Sequence, residues 1–241
     1  MTAILDWFCK ISVIALALIT LNSMFGDLLF RVKYSFPKVS VVSKHMIDLS
    51  QEPLQINLHD TKYIRYYGEK DFYVLKPQAE YSISALVVEK NSNFWFRDIM
   101  RSKFDDVALL DLGLVWGNLA QDKKELYKHI KFNSKKTLGQ SRTLYYRWDR
   151  TSPWGKDYIM SHIAHTHMIP ANSNVMGGLL QIKKNDIVKI DGYLVDIYTD
   201  KSELVAKTSL SRNDTNVSSR GSGACEDMYV KRVQIGNKVY E

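Results

Sequence analysis

The feature that most restricts the fold of this chain is a succession of short runs rich in β-branched and aromatic residues. Such runs occupy residues 72–75 (FYVL), 81–88 (YSISALVV) and 106–116 (DVALLDLGLVW). Residues of these types favour β-strands that are buried on at least one face, and Pro77 predicts a break between the first two runs. Helical patterns are limited to residues 122–130 and 156–163. We therefore predict a β-rich α+β domain.

Two turn signals near the C-terminus predict hairpins. Asp191-Gly192 and Gly236-Asn237 each lie inside a stretch that alternates apolar and polar residues. Dipeptides of this kind between two alternating stretches are typical of tight β-hairpins. We expect these short strands to form a small barrel-like C-terminal sheet, OB-like or SH3-like, within the mixed domain.

The N-terminus carries an uninterrupted apolar run of 11 residues at positions 11–21 (ISVIALALITL). A membrane-spanning helix needs about 20 apolar residues, and the core of an export signal about 7–15. Because no good A-x-A cleavage site follows, we favour an uncleaved single transmembrane helix that contacts the membrane through residues 8–25; a buried core helix is the alternative. The predicted organisation is an anchor over residues 1–30, a linker over 31–51 and one β-rich globular domain over 52–241.

Three of the six histidines lie within six residues, at His162, His165 and His167. On a strand His165 and His167 point to one face, whereas on a helix His162 and His165 share a face. A catalytic zinc takes three protein ligands and keeps one open position, so all three are candidate metal ligands. The alternative is that they hydrogen-bond within a loop or core. We expect no cofactor. The exception would be a divalent metal ion bound by these histidines, with zinc as the first candidate.

Cys225, in the segment GSGACE, is a candidate nucleophile. A catalytic cysteine needs a histidine to take its proton, and we pair Cys225 with His167 as candidate catalytic residues, with His165 as the other candidate base. The alternative is a small buried side chain at the start of the last strand. The preceding residues 209–223 are rich in Ser, Asn and Gly and predict an exposed loop or a polar ligand clamp. The candidate binding residues of this segment are Arg212, Asp214 and Arg220.

The net charge of +7, from 33 basic and 26 acidic residues, is concentrated over residues 122–150. Nine Lys or Arg and three Asp or Glu fall in this window, interleaved with aromatic residues. Such a patch can neutralise the phosphates of a polyanion or of an anionic lipid surface. A solvated face whose aromatic rings point into the core is the alternative. The candidate contact residues are Lys123, Lys124, Lys128, Lys131, Lys135, Lys136 and Arg142.

Five short motifs follow one another along the chain. They are residues 111–117 (DLGLVWG), 165–171 (HTHMIPA), 192–195 (GYLV), 209–214 (SLSRND) and 223–226 (GACE). In this order they resemble an uncharacterised family of bacterial proteins with an N-terminal apolar segment, over roughly residues 70–235. The resemblance implies a bacterial envelope setting and implies no activity.

These observations predict a membrane-anchored bacterial envelope protein whose β-rich domain is a binding or assembly module. We expect a single-pass protein of the inner membrane with a periplasmic domain, although Arg31, Lys33 and Lys38 after the apolar run favour a cytoplasmic domain. The expected partner is another envelope protein, with a polyanion or anionic lipid as further candidates; nucleic acid is not expected. The alternative function is an envelope hydrolase that uses the histidine metal site or a Cys225–histidine pair. Whether the chain is an enzyme stays open at this point.

Overall fold

The computed structural model describes residues 12–14, 33–34, 36–92, 102–135, 143–211 and 225–241. The strands in these ranges are β1 (Val41–Val42), β2 (Leu54–Asn57), β3 (Ile64–Tyr67), β4 (Phe72–Ser92), β5 (Leu110–Val115), β6 (Ile130–Lys135), β7 (Thr143–Trp148), β8 (Ile163–Pro170), β9 (Ile187–Thr199), β10 (Leu204–Ala206), β11 (Glu226–Ile235) and β12 (Lys238–Tyr240). The helices are α1 (Lys103–Val107), α2 (Asn118–Gln121), α3 (Lys123–His129), α4 (Lys156–Ser161) and α5 (Ser173–Gln181).

Five strands close the main sheet into a ring. Strand β4 pairs with β5, β5 with β8, β8 with β11, β11 with β9, and β9 returns to β4. The β8–β11 pairing is parallel and the other four are antiparallel. Strands β2 and β3 extend the sheet along β4, β10 lies along β9, and β12 and β1 follow β11, whereas β6 and β7 form a separate hairpin. Closure gives each ring strand a backbone partner on both sides.

Alternate side chains of the ring strands fill its interior, as the two-residue period of a strand requires. One fully buried residue from each strand is Ile83, Leu112, Met168, Ile190 and Met228. Helix α5 packs Val175 and Leu179 onto the same core. The helix begins where the Asn172 side chain accepts the Val175 N–H at 2.9 Å, and it ends where the Lys90 ammonium donates to three carbonyls, including that of Leu179. Side-chain groups thus satisfy backbone atoms that a helix leaves unpaired at its ends.

Two further apolar clusters cover separate parts of the outer face of the ring. The first joins Val115 and Ile163 to α2, α3, α4 and the β6–β7 hairpin. The second joins Ile169 and Val195 to α1 and β3. Strand β8 contributes to both, at its two ends, through Ile163 and Ile169.

The strand-rich character predicted from the sequence is confirmed, but two parts of the predicted fold class are wrong. Within the described residues no helix combines the length and the hydropathy needed to cross a membrane, which contradicts the predicted transmembrane helix; of the predicted anchor, the residues outside 12–14 lie outside the described ranges. The C-terminal strands form no separate small barrel, because β9 and β11 belong to the large ring. The fold is a β-rich α+β domain built on one large mixed sheet.

The two C-terminal turn signals have different outcomes. Gly236 and Asn237 form the two-residue turn between β11 and β12, and Gly236 has a φ of +56°, in the left-handed region that glycine tolerates. Asp191-Gly192 forms no turn, because β9 continues through both residues. At Gly192 the backbones of β9 and β11 approach so closely that a Cβ atom would overlap the Tyr229 carbonyl oxygen. This glycine marks a close approach of strands rather than a turn.

Candidate metal centre

The outward face of β8 is apolar at both ends and polar in the middle. Ile163 belongs to the first outer cluster and Ile169 to the second, while the intervening Met168 packs in the ring interior. His165 and His167 therefore point outward between the two isoleucines, since alternate residues of a strand share a face. The sequence pattern predicted this shared face for the extended conformation.

His167 is held by Asp111, its antiparallel partner on β5. The Nδ1 atom of His167 lies 2.7 Å from Oδ1 of Asp111, and the two residues are only 6% and 1% exposed. The ring of Phe104 meets the His167 ring edge-on, with centroids 4.9 Å apart. On the other side, Asp227 of β11 lies level with His167 in the ladder and is also buried. His167 thus lies in a row of three adjacent strands with a carboxylate residue on each flank.

Cys225 lies next to His165, one step along the same face. Its Sγ atom is 3.3 Å from Nδ1 of His165, and its carbonyl accepts the Ser209 N–H at 3.1 Å. The His165 and His167 rings are 4.7 Å apart and nearly perpendicular. One potential ligand atom from each of His165, His167 and Cys225 lies within 4.8 Å of the other two. We refer to these three residues as the metal cluster.

The dimensions of the metal cluster suit a small transition-metal ion. Around a tetrahedral zinc, ligand atoms lie about 3.3–3.6 Å apart, given metal distances of about 2.0 Å to nitrogen and 2.3 Å to sulfur. The Cys225–His165 separation of 3.3 Å already has this length. The widest separation of 4.8 Å would need to shorten by roughly 1 Å, which is within reach of side-chain rotation. Two imidazoles and a thiolate are donors that zinc and copper both accept.

His162, the third predicted ligand, lies elsewhere. Its Nε2 atom is 3.0 Å from Oε1 of Glu52, and its Nδ1 atom is 2.8 Å from the carbonyl oxygen of Tyr158. The His162 ring stacks on the Tyr158 ring with centroids 3.7 Å apart. The structure thus joins His165 and His167 to Cys225 and leaves His162 in a hydrogen-bonded corner at the end of α4.

The structure describes some of the other predicted binding residues. The Lys123 ammonium donates to the Asn185 carbonyl at 2.9 Å, that of Lys131 donates to the Tyr127 carbonyl at 2.7 Å, and Lys128 pairs with Glu125. Lys124 is exposed. The side chain of Lys135 and all of Lys136, Arg142, Arg212, Asp214 and Arg220 lie outside the described part of the chain.

A further buried histidine, His129, is the last residue of helix α3 and has a carboxylate at each ring nitrogen. Its Nε2 atom is 2.8 Å from Oε1 of Glu125, and its Nδ1 atom is 3.0 Å from Oδ1 of Asp149. The hydrogen bond to Asp149 raises the pKa of His129, and the same bond lowers the pKa of Asp149 to about 2. Thr151 adds a hydroxyl donor to Asp149 at 2.7 Å. We call these four residues the His129 cluster.

Sequence reasoning did not find Asp111, Asp227 or Phe104 as parts of the site. Asp111 had one usable signal, since it is an acidic residue inside a buried apolar strand, and such a residue is seldom buried without a partner. Asp227 and Phe104 reach the site only through strand register and helix packing. Comparison of the chain with protein-family models, with curated proteins and with solved structures gives no match. The resemblance to bacterial envelope proteins stays a prediction.

Proposed function

We propose that this domain binds one divalent transition-metal ion, zinc first, through the imidazoles of His165 and His167 and the thiolate of Cys225. The observation that carries the proposal is the convergence of these three donors within 4.8 Å, although Cys225 and His165 are 60 residues apart in sequence. His165 and His167 are 8% and 6% exposed. Each imidazole lies beside another buried or half-buried polar side chain, Asp111 for His167 and Cys225 for His165, and a carboxylate behind a histidine is a common neighbour of a metal ligand.

The number of donors favours a catalytic role over a structural one. Structural zinc sites have four protein ligands, whereas catalytic sites have three and keep a position for water or substrate. In the described residues the metal cluster has three members. A zinc ion in such a site lowers the pKa of its bound water to about 7 and so supplies hydroxide at neutral pH. We therefore propose hydrolysis as the reaction class, with the buried Asp227 beside His167 as the candidate proton acceptor.

The test is the metal content of the untagged full chain, purified without chelator and measured by elemental mass spectrometry. We expect about one zinc per chain in the wild type and less than about a tenth as much in His165→Ala, His167→Ala and Cys225→Ser. His162→Ala is the matched control, because it removes a histidine of the same segment that lies outside the metal cluster; it should keep its zinc. A folded, metal-free wild-type chain, even after dialysis against zinc or copper, would refute the proposal.

The reaction class is tested separately, with chromogenic ester and phosphate substrates. Hydrolysis by the wild type should stop when a chelator removes the metal and return when zinc is added. His167→Ala should stay inactive with zinc present, whereas His162→Ala should behave as the wild type. A chain that binds zinc and hydrolyses none of the substrates would keep the metal site and remove the support for hydrolysis.

The 3.3 Å contact between Cys225 Sγ and His165 Nδ1 favours a second candidate, a thiol-dependent hydrolase. His165 would take the thiol proton, the thiolate would attack an acyl carbon and expel the leaving group, and water would then release the acyl group. The same assay separates the two candidates. Hydrolysis that survives the chelator and is abolished by iodoacetamide would favour the thiol mechanism over the metal.

A further inference from the structure

We propose that Asp111 is the positioning residue of the metal cluster, and that it makes His167 bind the ion through Nε2 while His165 binds through Nδ1. This inference rests on the proposed metal site. It adds a specific arrangement of imidazole nitrogens, which the two histidines would not adopt by themselves because either ring nitrogen can ligate a metal.

The hydrogen bond between His167 and Asp111 determines which nitrogen of His167 carries the proton. A neutral imidazole carries one proton, and a carboxylate can only accept. With Nδ1 of His167 2.7 Å from Oδ1 of Asp111, the proton lies on Nδ1 and is donated to the carboxylate. The lone pair is then on Nε2, which becomes the nitrogen available to a metal. Carboxylates that accept a hydrogen bond from a metal-binding histidine in this way fix the tautomer and raise the basicity of the ligand.

Strand β5 places different residues opposite the two histidines. Asp111 is opposite His167, and Gly113 is opposite His165. A Cβ atom at Gly113 would lie 3.0 Å from both terminal methyl carbons of Leu144, so the hairpin β6–β7 occupies the space beside this glycine. Strand β5 therefore offers a carboxylate to His167 and none to His165. The Nδ1 atom of His165 is instead 3.3 Å from the Cys225 sulfur, on the side of the metal cluster.

The His167 ring is restrained by contacts with Asp111 and Phe104. Asp111 holds one edge of the ring, and the aromatic ring of Phe104 packs against it at a centroid distance of 4.9 Å and an angle of 88°. Asp111 is 1% exposed, so water does not compete with His167 for the carboxylate. A flip of the imidazole would break this buried hydrogen bond, which is costly because buried polar groups lose an interaction that water does not replace. The geometry thus selects one orientation of His167 before any metal arrives.

The experiment compares Asp111→Asn with Asp149→Asn in the full chain. Asp149 is the matched control, because it is also the carboxylate on Nδ1 of a histidine, His129, which lies outside the metal cluster. Zinc affinity is measured by competition with a chromogenic chelator. The expected result is a 10–100-fold weaker affinity in Asp111→Asn and an unchanged affinity in Asp149→Asn. Equal affinities of wild type and Asp111→Asn would overturn the inference.

A second readout keeps this inference separate from the proposed function. Nitrogen-15 NMR of the metal-free wild type reports which ring nitrogen of His167 carries the proton. We expect the proton on Nδ1 in the wild type and a mixture of tautomers in Asp111→Asn. A proton on Nε2 of wild-type His167 would overturn the role of Asp111 even if zinc binds. Failure of the wild type to bind zinc would refute the metal site, whatever the tautomer.

Discussion

The His129 cluster and the metal cluster both contain buried imidazoles, and they differ in how many carboxylates an imidazole meets. His129 is 5% exposed, and His165 and His167 are 8% and 6% exposed, so burial does not separate them. His129 has a carboxylate on each ring nitrogen. His167 has its hydrogen bond to Asp111 at one nitrogen. A ring with carboxylates at both nitrogens is favoured in its protonated form, whereas a ring with a carboxylate at one nitrogen can present the other nitrogen to a ligand.

The two clusters also lie in different parts of the fold. The His129 cluster joins the end of α3 to the segment after β7, through Glu125 on one side and Asp149 on the other. It ties a helix to a hairpin on the outside of the ring. The metal cluster lies on the ring itself, across the boundary between β8 and β11. The first arrangement links two elements of the fold, and the second brings three potential ligand atoms within 4.8 Å of one another.

The largest effect that separates the clusters should be the response of thermal stability to zinc. A ligand present at 1,000 times its dissociation constant adds about 4 kcal/mol of stability, which raises the Tm of a chain of this size by about 8–16 °C. We expect this rise in the wild type and in His129→Asn, and no rise in His167→Asn. Scanning calorimetry of the full chain measures it. If zinc raised the Tm of His167→Asn as well, the ion would be binding elsewhere.

The next effect is a pH dependence of stability that belongs to His129. Because its pKa is raised in the folded chain, the stabilising contribution is fully present below the unfolded pKa of about 6.5 and is lost as pH rises through the higher folded value. The free energies of unfolding of wild type and His129→Asn should therefore differ more at about pH 6 than at about pH 9. Urea unfolding with chelator present measures both.

The pair of His129 and Asp149 also makes the free energy of unfolding depend on pH in acid, since the pKa of Asp149 is lowered to about 2. Its contribution to stability is present above the unfolded pKa of 3.8 and is lost as pH falls through about 2.

His167→Asn is the control for the loss of stability at alkaline pH, because it alters a buried histidine outside the His129 cluster. A wild-type advantage over His129→Asn that stayed constant from about pH 6 to 9 would show that His129 is not held as an ion pair.

The smallest effect concerns Thr151, whose hydroxyl donates to Asp149 at 2.7 Å while its backbone N–H donates at 2.8 Å. Thr151→Val removes the hydroxyl, with its bond to Asp149 and its longer contact to His129 Nδ1 at 3.4 Å, and keeps the backbone bond. It should raise the pKa of Asp149 part of the way from about 2 toward 3.8, because the bond to His129 is the larger cause of the lowering. Carbon-13 NMR titration of the Asp149 carboxyl group measures the change. A pKa unaltered by the substitution would assign the lowering to His129 and the backbone alone.

The sequence predicted those parts of the site that depend on local periodicity. His165 and His167 are two residues apart in a strand, so their shared face follows from alternation alone. Their partners depend on register between distant strands. Asp111 is 56 residues from His167, and Cys225 is 60 residues from His165. No local pattern fixes which residue of β5 or β11 lies opposite β8, and the sequence therefore offered Cys225 with His167 as readily as with His165.

The errors in the fold prediction have a related cause. Pro77 was expected to end a strand, yet it lies inside β4, beside a shift in the register with β9 between Pro77 and Ala79. Such an irregularity accommodates a residue that cannot donate a backbone hydrogen bond. Gly192 was expected in a turn and is instead required by the proximity of β11. In both cases the residue does mark an irregular position of the backbone. A neighbouring strand that is remote in sequence determines what kind of irregularity it is.

The parallel pairing of β8 and β11 has a consequence for what a bound ion would hold together. The chain between these two strands is long and includes α5, β9 and β10. Cys225 and His165 therefore meet only where β8 and the start of β11 lie side by side. An ion bound there would link two segments that are remote in sequence, and it would oppose every opening of the ring that separates them.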